Sequence, residues 1–148
     1  MHLHSKIQVS YGQATDTGRK ARNDDCLGSR LPEEPLLTTK GVTIAIADGV
    51  SAAEAGKEAG EIAVQGFLTD YYDTPDLWAV KTSGHRVLTA INRWLYSLGR
   101  GFTNAQRGYV TTLSTLIIKS HSAHIFHIGD TRVWRLRSGQ VEQITHDH

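Results

Sequence analysis

Apolar and polar positions along the chain fall into successive regimes. From Leu3 to Gln13 they alternate, with Ile7, Val9 and Tyr11 against Lys6, Gln8 and Ser10, the period of a half-buried strand. Thr15 to Asp25 is polar, basic in its first half and acidic in its second, and reads as a turn-rich loop. Cys26 and Leu27 open a second short strand, and Leu31 to Lys40, with Pro32 and Pro35, reads as a surface connection. Gly41 to Ala47 is a short, branched apolar run that ends at Asp48-Gly49, the pattern of a buried central strand.

The period then lengthens. Ser51 with Glu54 three residues on has the form of a capping box, and the helix it opens is expected to reach about Asp73. Ala55, Ala59, Ile62, Ala63 and Phe67 form its apolar stripe. Thr74-Pro75-Asp76 reads as a second helix start. Val87, Leu88, Ile91, Trp94, Leu95 and Leu98 share one face of that helix, Ser83-Gly84 is placed to kink it, and Gly99-Arg100-Gly101 ends it. Trp78 and Trp94 are expected in the core. From Tyr109 to Ile118 the composition is that of a strand, followed by strands over 123–128, 132–136 and 141–145, the last two joined at Ser138-Gly139. Strands, then two long helices, then a meander predict an α+β fold of antiparallel sheet layers flanked by two long helices.

The chain is long enough for one domain with a real core. Sixteen Lys and Arg stand against 15 Asp and Glu, a net charge of +1, which suggests neither a nucleic-acid patch nor a polybasic anchor. One cysteine, Cys26, allows no internal disulfide and fits a reducing compartment. No signal-like or membrane-spanning stretch is present, so a cytoplasmic location is expected.

Candidate chemistry concentrates on acids at strand edges: Asp24-Asp25, Asp48 and Asp147. A carboxylate ending a buried strand must be hydrogen-bonded, protonated or bound to a cation. The glycine after Asp48 lets the backbone turn, so that its own carbonyl points the same way. Asp48 and the Gly49 carbonyl therefore read as one wall of a divalent-metal site. Hard cations such as Mg²⁺ and Mn²⁺ use few carboxylates and keep several waters. No zinc-like Cys/His spacing occurs, and His121, His124 and His127 recur every third residue, which sets neighbours on opposite faces of a strand.

Asn23-Asp24-Asp25, Ala47-Asp48-Gly49-Val50-Ser51 with Gly56 and Ala59, Thr111-Thr112, His127-Ile128-Gly129-Asp130-Thr131-Arg132 and Ile144-Thr145-His146-Asp147-His148 stand in a fixed order. Together they resemble the motifs of the metal-dependent serine/threonine protein phosphatases, the PPM or type 2C family, over nearly the whole chain. Trp78-Ala79-Val80-Lys81 and Asn92-Arg93-Trp94-Leu95 resemble a bacterial branch in which the phosphatase is fused to a protein kinase. The resemblance implies an α-β-β-α sandwich, residues 1–148 forming the N-terminal portion of the phosphatase domain with its C-terminal part missing. It implies two Mg²⁺ or Mn²⁺ ions, with a third looser one, and phosphorylated Ser/Thr proteins as partners, with a cognate or fused kinase.

Carried over, Asp48 would bridge two ions, Gly49 would offer its carbonyl, Asp25 would bind directly or through water, and Asp24 would stand in the outer shell. Asp147 would hold the third ion. Arg19 or Lys20 would bind the substrate phosphate, with Arg22 nearer the acidic pair. Asp130 and Arg132 would order a turn. Metal-activated water would attack phosphorus in line, the pair of cations neutralising the phosphoryl oxygens.

Two features depart from the family pattern. Position 50 is Val where some relatives carry a histidine proposed as general acid, and the second half with two further metal-binding aspartates is absent. The chain is therefore expected to bind metal weakly by itself and to expose a sheet edge and an apolar face that the missing half would cover. A nucleophilic Cys26 is the chemical rival, but it lacks the signature loop of cysteine phosphatases. The alternative function is a catalytically inactive phosphatase-like module that binds a partner or phosphopeptide. A soluble α+β domain whose acidic loops are only turns is the third reading.

Overall fold

The computed structural model describes residues 8–102 and 107–148. Strand β2 (Val42–Asp48) lies in the interior of a four-stranded antiparallel sheet. It pairs on one side with β1 (Asp25–Arg30) and on the other with β3 (Leu113–Lys119), and β3 pairs in turn with β4 (Ser122–Ile128). A short helix α1 (Leu36–Thr39) joins β1 to β2, and a separate hairpin β5 (Trp134–Arg137) and β6 (Gln140–Gln143) follows β4.

Alternation along β2 decides what each face does. Thr43, Ala45 and Ala47 point to one side and are wholly buried, while Ile44 and Ile46 point to the other and stay partly exposed. Helix α2 (Gly56–Asp73) covers the buried side, and the small alanines of β2 let it lie close. Phe67 on α2 is fully buried, stacked on Tyr71 at 5.7 Å between centroids and tilted against Phe126 of β4 at 6.4 Å. The Tyr72 hydroxyl reaches Thr43 and the carbonyls of Gly41 and Arg30, which ties the end of α2 to two strands. Helix α3 (Val80–Gly99) packs on α2 through Val87, Ile91 and Leu95. The α+β expectation holds, with both long helices present.

Several boundaries differ from the sequence expectation, each for a physical reason. Leu3 to Ile7 lies outside the described residues, and 8–13 carries no strand. Ser51 does not cap α2: the amides of Glu54 and Ala55 donate to the carbonyls of Arg107 and Gly108, so a distant segment satisfies them and the helix begins at Gly56. Thr74 does not open α3 but closes α2. Its hydroxyl donates to the Tyr71 carbonyl at 2.7 Å or to Ser83 Oγ and accepts from Lys40 Nζ at 2.8 Å, so it is not free to cap. Lys40 itself is buried, not on a surface connection. Its three ammonium protons meet the Thr74 hydroxyl and the carbonyls of Thr74 and Pro75. Trp78 and Trp94 are exposed. Helix α3 runs unbroken through Gly84, which lacks a side chain because the Phe126 ring lies against it. The strand expected from Tyr109 starts at Leu113, after a single bridge between Thr111 and Gly49.

Candidate functional site

Antiparallel pairing puts Asp25, the first residue of β1, directly across from Asp48, the last of β2. Residues opposed in this way hold their side chains on the same face within contact distance. Burial pushes the Asp48 carboxyl up from its ordinary value, and the charge of Asp25 and a hydrogen bond shared with it push further in the same direction. Like charges facing each other on a half-buried surface favour a proton or a cation between them.

The corner that carries Asp48 is fastened on both sides. The Asp48 amide donates to Thr112 Oγ1 at 2.9 Å, and its carbonyl accepts from the Thr112 amide at 3.0 Å and from Thr111 Oγ1 at 3.1 Å. The Gly49 amide donates to the Asp24 carbonyl at 3.1 Å, and the Val50 amide to the Val110 carbonyl at 3.0 Å. On the opposite strand, Asn23 Oδ1 accepts from the Asp25 amide at 3.0 Å and fixes where β1 begins.

A cavity of about 220 Å³ opens over the pair, lined by Asp25, Ile46, Ala47, Asp48, Asp130 and Thr131. Asp130 arrives by the turn after β4. Gly129 there has φ of +106° and packs so tightly on Thr112 that a Cβ would lie 2.5 Å from its Cγ2. Thr131 Oγ1 is bonded to the buried Ser114 Oγ at 2.6 Å, and Ser114 to His127 Nδ1 at 2.8 Å, which pins the turn to β3 and β4. The negative charge of Asp130 adds to the upward push on Asp48.

The comparisons with known proteins fit this arrangement. A family model described as protein phosphatase 2C matches residues 17–148. The chain belongs to the protein phosphatase 2C family. It is 31% identical over 136 residues to protein phosphatase PhpP of Streptococcus pneumoniae, covering 90% of this chain and 53% of that protein. The chain thus spans about half the length of the curated relatives it matches. Among solved structures it is similar to serine/threonine phosphatase Stp1 from Staphylococcus aureus, with a TM-score of 0.74 at 22% identity, over 96% of this chain and 58% of that one. It is also similar to the catalytic domain of the serine/threonine protein phosphatase PstP in complex with two manganese ions, with a TM-score of 0.67 at 24% identity, over 86% and 50% of the respective chains. These likenesses confirm the type 2C fold.

Within this type 2C fold the structure brings some of the expected site residues together and sends others elsewhere. Asp25, Asp48 and Gly49 meet at one corner. Asp24 is buried, and its carboxylate is held by Arg22 Nε, so it supports the corner through its main chain. Of the two basic candidates, Lys20 is the one whose charge reaches Asp48, drawing its carboxyl downward against the other influences. Arg19 is exposed in the neighbouring turn. Asp147 does not line the cavity. Arg132 grips it with Nη2 at 2.6 Å and Nε at 3.0 Å, and that hydrogen bonding pulls the Asp147 carboxyl below its usual range. Asp130 is the acid that sequence reading assigned to a turn and that the structure adds to the cavity. Its signal was present: Gly129-Asp130 ends an apolar strand, as Asp48-Gly49 does.

Cys26 offers no rival chemistry. Burial raises its thiol, which keeps it protonated, and it packs against the core. Among the described residues no three His, Cys, Asp or Glu side chains gather tightly enough to hold an ion by themselves. The donor set is two facing carboxylates, a nearby third acid and backbone oxygen. Sparse carboxylates completed by water are what Mg²⁺ and Mn²⁺ accept, so the residues fit such an ion bound weakly.

Proposed function

We propose that residues 1–148 form the N-terminal portion of a protein serine/threonine phosphatase domain and supply half of its metal centre. The observation that carries this reading is the Asp25–Asp48 pair, opposed across β1 and β2, mutually repelling, and lining one cavity together with Asp130. Asp48 and Asp25 are the ligand carboxylates, with the Gly49 carbonyl beside them and Asp24 in an outer position. Bound Mg²⁺ or Mn²⁺ supplies an activated water and neutralises phosphoryl charge. The PstP structure holds two manganese ions, and the same number is our reading for the complete protein.

The chain's own residues do the rest. Asp25 and Asp48 hold negative charge at the mouth of the cavity. Lys20, already within electrostatic reach of Asp48, holds the substrate phosphate, with Arg19 as its neighbour in the turn. Val50 has no ionisable group, so protonation of the seryl or threonyl leaving oxygen falls to water. Substrates are proteins phosphorylated on Ser or Thr, which requires a protein kinase upstream, separate or fused, and we place the reaction in the cytoplasm. No helix among the described residues is long and apolar enough to cross a membrane.

Third-ion duty passes in this reading from Asp147 to Asp130, because Asp147 is held by Arg132 and Asp130 faces the cavity. Asp147→Asn is expected to leave Mn²⁺ affinity of the chain unchanged, measured by calorimetry, while Asp130→Asn weakens it.

The deciding experiment is hydrolysis of p-nitrophenyl phosphate and of a phosphothreonine peptide by the native protein that carries this chain. Activity that requires Mn²⁺, stops with EDTA and disappears in Asp25→Asn supports the assignment. Activity indifferent to chelator overturns it, and phosphopeptide binding without turnover or metal dependence favours the inactive module instead.

A further inference from the structure

The net charge of +1 conceals a division. Residues 77–129 contain no Asp or Glu at all, but they carry Lys81, Arg86, Arg93, Arg100, Arg107 and Lys119. All 15 acids lie outside that stretch. Helix α3 is the outward part of it, and its inner face is fixed by Val87, Ile91 and Leu95 in the core. Arg86, Arg93 and Arg100 recur every seven residues, the first two within α3 and the third at its C-cap, and all three are exposed. At ~1.5 Å per residue and 3.6 residues per turn they form one ridge, spaced ~10 Å apart and ~21 Å long.

The ridge is uncompensated. Among the described residues none of the three guanidiniums has a carboxylate within ion-pair distance. Two lie over aromatic rings instead, Arg86 at 5.8 Å from the centroid of Trp78 and Arg100 at 5.6 Å from that of Tyr96. Thr82, Thr89 and Tyr96 run alongside at the same seven-residue interval.

We propose that this face of α3 docks an acidic helical segment of a partner protein, with carboxylates repeating on one face. Charge complementarity calls for an anionic partner, and the seven-residue interval selects a helix, whose own side chains return to one face at that spacing. Two of the exposed rings, Trp78 and Tyr96, are engaged by guanidiniums, Trp94 stands exposed beside Arg93, and Thr82 and Thr89 alternate with the arginines along the helix in place of aliphatic anchors. The proposal does not depend on the metal centre.

The test uses a labelled, alanine-rich helical peptide with glutamates every seventh residue and measures anisotropy on adding the 148-residue chain. An isomeric peptide with the same glutamates at irregular spacing is the comparison. Binding that favours the regular peptide, and that falls at least about tenfold in the combined Arg86→Gln, Arg93→Gln and Arg100→Gln variant, supports the ridge. In addition, Arg93→Glu should lose the regular peptide and recover a version with lysine at the matching position. Equal binding of the two peptides, indifference to the triple change, or tighter binding to phosphatidylserine vesicles or a DNA duplex overturns the proposal. All three arginines are exposed, so the variant should melt within about 2–4 °C of the parent, the small loss coming from the two ring contacts.

Discussion

Asp48→Asn is expected to stabilise the metal-free chain slightly and to abolish its response to Mn²⁺. The sign follows from the raised carboxyl. A folded-state value above the unfolded one means that the fold favours the protonated acid. That stability is fully present below the unfolded value and is lost as pH rises through the raised one. Ionising Asp48 therefore costs stability, because it faces Asp25 across the strands. Asparagine keeps the shape, carries no charge and can donate to the Asp25 carboxylate. Without metal the variant should melt on the order of 1–2 °C higher, since the site is only half-buried and solvent screens the repulsion. The parent should gain about 2.7 kcal/mol at a hundredfold excess of Mn²⁺ over its dissociation constant, which is about 5–10 °C, and the variant should gain nothing. Phosphatase activity of the native protein should fall by about 10²–10³ or more. Thermal melts with EDTA and with Mn²⁺ read both signs. A variant that melts lower in EDTA, or that still gains from Mn²⁺, contradicts the placement of Asp48 as a metal-holding carboxylate.

That pair was legible in the sequence because strand ends are. A branched apolar run that stops at Asp48-Gly49 announces both a buried strand and the carboxylate at its tip. Antiparallel pairing with the strand after Asn23-Asp24-Asp25 then leaves little choice about what stands opposite. What escaped depends on contacts remote in the chain. Ser51 has the right neighbours for a cap, yet Arg107 and Gly108 bring carbonyls to Glu54 and Ala55 first. Thr74 looks like a helix start until the buried Lys40, 34 residues away, takes its hydroxyl. Trp94 fits the apolar face by spacing, but the core narrows to Val87, Ile91 and Leu95 and leaves it outside. Asp147 misses the cavity because Arg132 reaches forward 15 residues to hold it, and nothing local announces that contact. Periodicity reports faces, and strand ends report corners, but which side chain a third segment claims is decided only in the fold.

Gly56→Ala is expected to damage the same corner without touching any charged group. A Cβ built on Gly56 falls 2.5 Å from the Val50 carbonyl oxygen and 3.0 Å from the Val50 nitrogen, and Gly49 faces Gly56 backbone just as closely from the other side. Both obstacles are main chain, so neither can rotate away. The Val50 carbonyl accepts from the Ala53 amide at 2.8 Å, and its amide donates to the Val110 carbonyl, so moving Val50 strains the loop that leads from the Asp48-Gly49 corner into α2. Such overpacking costs about 2–3 kcal/mol, a fall of about 5–10 °C in Tm for a chain of this size. Because Val50 follows Asp48-Gly49 directly, the Mn²⁺-induced rise in Tm should shrink as well. Gly66→Ala on the same helix is the control. Its Cβ would meet only the Ile91 side chain at 3.4 Å, and alanine in a helix interior gains about 0.5–1 kcal/mol over glycine. It should therefore be neutral or stabilising and keep the metal response. If Gly56→Ala melts like Gly66→Ala, the close seat of α2 on the Asp48-Gly49 corner is not what holds the site in shape.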